Sequence, residues 1–75
     1  MKAVWDVDTK IYMSKLDGLI DEYVVGPKSG KYRKILRLHF FEGLTYEEIA
    51  EALEMSAVQV GRIVRRYEDP LLLMI

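Results

Sequence analysis

LTYEEIAEALEMSAVQVGRI, Leu44 to Ile63, holds two short amphipathic patterns with almost nothing between them, each opened by its own capping signal. Thr45 is followed three residues on by Glu48, and Ser56 three residues on by Gln59. In such a capping box the hydroxyl accepts from the N3 amide, and the Glu or Gln side chain accepts from the cap's own amide. This spacing leaves room for a first helix of about eight or nine residues, a turn and a second helix. The apolar positions agree. Ile49, Ala50 and Leu53 share one face of the first pattern, and Val60, Ile63, Val64 and Tyr67 share one face of the second. Met55 stands in the turn, placed to drop into the angle between them. Two helices this close cross steeply and bury those faces together, so residues 45–54 and 56–68 read as a helix-turn-helix.

Working toward the amino end, Gly43 closes a helix predicted over residues 30–42. Its Tyr32, Ile35, Leu36, His39 and Phe40 lie on or beside one face, while Leu38 and Phe41 widen the arc to reach a second neighbour. Gly26 and Pro27 stop an earlier helix, residues 9–25, with Asp8 or Thr9 as its cap. Tyr12, Leu16, Leu19, Ile20, Tyr23 and Val24 follow helical spacing within it, and Gly18 costs it about 1 kcal/mol relative to Ala. Residues 1–8 read as an arm laid on the helices by Trp5. Toward the carboxyl end, Asp69-Pro70 is expected to halt the last helix and leave an apolar tail within residues 70–75. Leu71, Leu72, Leu73, Met74 and Ile75 either fold back over the first helix, the simpler arrangement, or bury in a homodimer contact. The expected fold is all-α, a single small bundle of about four helices containing the helix-turn-helix.

Composition removes several function classes. The 75 residues include no cysteine, which excludes a disulfide framework and a thiolate metal site. No apolar run is long enough to span a membrane, and MKAVWDVDTK lacks a basic region followed by an apolar stretch, so a soluble, cytoplasmic protein is expected. GPKSGK, Gly26 to Lys31, imitates a phosphate-binding loop but is one residue short, and Tyr32 stands where the metal-binding hydroxyl belongs. No nucleophile has a base beside it in a recognisable pattern, and His39 has no second histidine. No catalytic residue, metal or cofactor is expected.

The net charge of −1 conceals blocks of opposite sign. Residues 26–41 carry Lys28, Lys31, Arg33, Lys34 and Arg37 with no acid, and residues 42–54 carry Glu42, Glu47, Glu48, Glu51 and Glu54 with no base. Such separation permits a polyanion to bind one face, although with few phosphates neutralised.

Taken together, Ile35 to Tyr67, ILRLHFFEGLTYEEIAEALEMSAVQVGRIVRRY, resembles region four of bacterial sigma factors, in particular the extracytoplasmic-function group and related phage regulators. The likeness rests on the aliphatic-basic helix running into EGLTYEEIAEAL, on the Ser56 cap, and on Val60 and Ile63. It implies a transcriptional regulator whose second motif helix reads duplex DNA and whose surface also meets RNA polymerase or an activator. The chain leaves no room for the promoter-melting domain of a complete sigma factor, so a standalone regulator, phage or bacterial, fits better. Glu54 stands at a turn position where such motifs often carry Gly, and Ala57, Val58 and Gly61 stand where sigma factors show long polar residues.

With Val60, Ile63, Val64 and Tyr67 inward, the outer side of the last helix presents Ala57, Val58, Gln59, Gly61, Arg62, Arg65 and Arg66. Gln59 can pair with adenine and Arg62 with guanine, each pairing worth about 1–3 kcal/mol of discrimination, and Ala57 or Val58 suits a thymine methyl. Arg65, Arg66 and the amide end at Ser56 are placed for phosphates, with Lys31, Lys34 and Arg37 as a phosphate-facing flank. The alternative is a module of the same fold that binds RNA polymerase or another regulator without DNA binding of its own.

Overall fold

The computed structural model describes residues 7–75, with side chains from Lys10 onward. The arm predicted over residues 1–8, with Trp5 as its anchor, falls mostly outside the described residues. Four helices follow in order: α1, Val7–Tyr23; α2, Ser29–Phe40; α3, Tyr46–Leu53; and α4, Ala57–Leu73. Among the described residues there is no strand. Helix α1 already includes Asp8 and Thr9, so neither is its cap. Gly26, at φ +115°, makes the break before α2, and Gly43, at φ +70°, makes the one before α3. Beyond α2 the chain returns through Gly43 so that the Leu44 amide reaches the Leu38 carbonyl at 3.1 Å.

Helix α4 is the spine, and it touches each of the other three. Its two halves serve two apolar clusters. The amino half gives Val60 and Val64 to a cluster with Ile35 of α2 and Ile49 and Ala50 of α3. The carboxyl half gives Tyr67 and Leu71 to a cluster with Leu16, Ile20 and Val24 of the α1 segment and Leu36 of α2. Ile63 packs against both. The adjacent residues Ile35 and Leu36 therefore face different clusters, and Leu38 and Phe41 divide the same way. A helix that joins two cores needs an apolar arc this wide. Tyr12 and Tyr23, expected on the core side of α1, are 40% and 44% exposed; Leu16, Ile20 and Val24 form the buried stripe, with Met13 and Leu19 packed beside it and the Tyr23 ring edge-on to Tyr67 at 6.1 Å.

Pro70 does not halt the last helix. Helix α4 runs through it to Leu73, against the expectation of an end at residue 68. Proline removes one intrahelical bond, to the carbonyl four residues back, but its fixed φ is helical. Continuing the helix carries Leu71 to full burial against α1, which offsets that loss. Leu71 is thereby committed to its own core. Leu72, Leu73, Met74 and Ile75 remain exposed.

Candidate nucleic-acid interface

Local sequence sets the motif. Thr45 and Ser56 both cap with full boxes: Thr45 Oγ1 accepts from the Glu48 amide at 3.1 Å, and Ser56 Oγ from the Gln59 amide at 3.1 Å. In return Glu48 Oε1 accepts from the Thr45 amide at 2.8 Å, and Gln59 Oε1 from the Ser56 amide at 3.3 Å. The charged acceptor makes the shorter bond, as charge assistance requires. Between the helices Glu54 takes the left-handed conformation at φ 56°, ψ 50°, and the Met55 amide turns back to the Ala50 carbonyl at 2.9 Å. A glycine would adopt that conformation without strain; here glutamate accepts it. Met55 drops beside the Ile49–Val60 cluster and closes the angle.

This geometry fixes which side of α4 looks outward. Val60, Val64 and Tyr67 are buried, while Val58, Gln59, Arg62, Arg65 and Arg66 are exposed. Ala57 is half-buried against the motif's cluster. Gly61, counted on the outer face from sequence, is buried: a Cβ there would stand 3.2 and 3.3 Å from the Tyr46 ring of α3. A long polar side chain at this position would push the two motif helices apart. The Arg65 guanidinium lies back along α4 to within 3.4 Å of the same point, and Arg66 sits over the Tyr67 ring at 5.7 Å.

The basic block of α2 is split between two jobs. Arg37 donates to Asp17 Oδ1 at 2.8 Å and to Asp21 Oδ1 at 2.9 Å. Arg33 donates to the Val24 and Asp21 carbonyls at 2.9 and 2.8 Å, satisfying acceptors left open where α1 ends. The hydrogen bond from Arg37 holds the Asp21 carboxyl below the usual carboxylate range, and its acid partners raise Arg37 in turn. These two arginines join α1 to α2, so Arg37 is not brought to the outer face of α4. Lys28 and Lys31 are. With Tyr32, Met55, Gln59, Arg62 and Ile63 they line a groove of ≈ 180 Å³ between the start of α2 and the start of α4. Lys34 is exposed one turn beyond Lys31.

Lys28 was not singled out from the sequence. Its signal was present, three residues before Lys31 at the start of a helix, but only the α2–α4 packing brings it beside Arg62. His39 packs edge-on to Phe40 and beside Tyr46, at 5.2 and 5.5 Å between ring centroids. Its Nδ1 is buried without a hydrogen-bond partner. Among the described residues no cluster of His, Asp or Glu has metal-ligand geometry, and no helix is long and apolar enough to cross a membrane.

Two capped helices joined by a short turn, the second with a buried face and outward cations, make a helix-turn-helix. No curated protein and no solved structure matches the chain. The family model described as sigma-70, region 4 matches residues 29–66, from the first residue of α2 into α4, just over half of the sequence. The chain belongs to the sigma-70 region 4 family, whose domains bind DNA and RNA polymerase in transcription.

Proposed function

We propose that this protein is a DNA-binding transcriptional regulator that sets α4 in the major groove. The observation that carries the reading is the meeting of Lys28, Lys31, Gln59 and Arg62 around one groove at the start of α4. Arg62 projects freely and reads a guanine edge, a bidentate contact that dominates specificity. Gln59 is half committed, since its Oε1 holds the Ser56 cap and leaves only the amino group for a base edge. Ala57 and the exposed Val58 offer methyl contacts to thymine. Lys28, Lys31 and Lys34 take the phosphates of one strand, Arg65 and Arg66 those further along, and the amide end at Ser56 another. Such a domain works in the cytoplasm beside the DNA, without catalysis.

Fluorescence anisotropy with duplexes selected from a random pool tests this. Arg62→Ala should cost about 1–3 kcal/mol on the selected duplex and flatten preference at one base pair. Lys31→Ala should weaken all duplexes alike and reduce the salt slope by about one. Equal, salt-insensitive binding by wild type and both variants overturns the reading.

Val58 supports a second reading. It is 66% exposed on the outward side of α4, where an apolar side chain also suits a protein partner. A module that binds RNA polymerase without DNA would co-purify with a polymerase subunit and show no affinity for any duplex at low salt.

A further inference from the structure

Helix α1 lies outside the matched family region, and among the described residues one of its faces has no partner. Lys15, Gly18, Leu19 and Glu22, spaced as one helix stripe, line an open groove of ≈ 390 Å³ with Met74 of the tail at its edge. We infer that a second copy of this chain docks here, α1 against α1 in antiparallel orientation, as a two-fold dimer. The inference does not depend on DNA binding.

Gly18 is the first observation. It sits in mid-helix, where glycine weakens a helix, yet a Cβ on it would meet nothing within 4 Å. Among the described residues, neither its backbone conformation nor any neighbour calls for glycine, unlike Gly61 against Tyr46. A bare backbone here admits the close approach of another helix.

Charge supplies the second. Asp17 and Asp21 are taken by Arg37, whereas Lys15 and Glu22 form no ion pair among the described residues. They flank Gly18 with opposite signs. In an antiparallel pair crossing between Gly18 and Leu19, Lys15 meets the partner's Glu22, and Glu22 meets the partner's Lys15. A parallel pair would set like against like. Self-complementarity under a two-fold axis is the signature of an isologous contact. Ile11 (50% exposed) and Tyr12, one turn before Lys15, and the exposed Met74 at the groove edge extend the apolar surface. This differs from a dimer through the whole tail, because Leu71 is spent inside the chain.

Sedimentation equilibrium of the full chain across the micromolar range, without DNA, tests the inference. Wild type should show a reversible dimer. Lys15→Glu and Glu22→Lys should each weaken it about tenfold, since two symmetric pairs become repulsive, and the double variant should regain it to within about threefold. Gly18→Met should abolish association while the circular dichroism of the dilute protein stays unchanged and its melting temperature does not fall. A wild-type monomer throughout, indifference to the single swaps, or a double variant as weak as either single overturns it.

Discussion

Two glycines in helices have opposite meanings, and a methyl group tells them apart. At Gly61 an added Cβ presses on the Tyr46 ring at 3.2 Å, so the helix propensity gained by Ala is spent on moving that ring. Gly61→Ala should change stability by less than about 1 kcal/mol, whereas Gly61→Leu should lose about 1–3 kcal/mol by overpacking the motif. At Gly18 no described residue lies within 4 Å of an added Cβ, and Gly18→Ala should add about 0.5–1 kcal/mol in dilute solution. Urea unfolding of the three variants checks the pattern. Glycine at both positions is plain in the sequence, but the crowding at one and the openness at the other are not. Tyr46 lies 15 positions from Gly61 and meets it only once the motif has closed.

Among the elements, α4 departs most from its sequence reading. Asp69-Pro70 carries a stop signal that is correct for an isolated peptide, and tertiary burial of Leu71 overrides it. Leu71→Ala should therefore cost about 2–5 kcal/mol, while Leu73→Ala, at a position 86% exposed, should fall within about 0.5 kcal/mol of wild type. Thermal melts of the pair decide whether the last turn belongs to the core. The caps at Thr45 and Ser56 were legible because a capping box closes within four residues. The division of the α2 bases was harder. Arg33 and Arg37 share one side of α2 and Asp17 and Asp21 one side of α1, each at i, i+4, so matching stripes stood in the sequence. Which basic stripe met the acids depended on the rotation of α2 about its axis.

For the whole molecule, thickness and charge placement matter most. The domain is 17 Å through its thinnest axis, less than two helix diameters of about 10–12 Å, so α4 can join two cores and still show an open side. On the proposed reading about three to five cations reach phosphates, so log K for DNA should fall with log salt at a slope of roughly −3 to −5, shallow for a DNA-binding domain. Folding should respond to acid through the α1–α2 join. Asp21 is held below its ordinary range by Arg37, so its contribution is complete above the unfolded value and is lost as pH falls through the lower folded one. Asp21→Asn should be the less stable protein at neutral pH, and its deficit should shrink as pH drops below about 4. Urea midpoints measured against pH read this directly.

By itself the sequence determined that there are four helices, the two capping boxes at Thr45 and Ser56, the turn at Met55 and the inward stripe Val60–Ile63–Val64–Tyr67, all of which are written in spacings of a few positions. Only the tertiary structure decided that Lys28 and Lys31 stand beside Arg62, that Arg37 serves α1, that Gly61 is covered and that Pro70 lies within a helix. Those outcomes depend on how rigid helices rotate and cross to fill two cores at once. That is a property of complementary surfaces, and no local spacing encodes it.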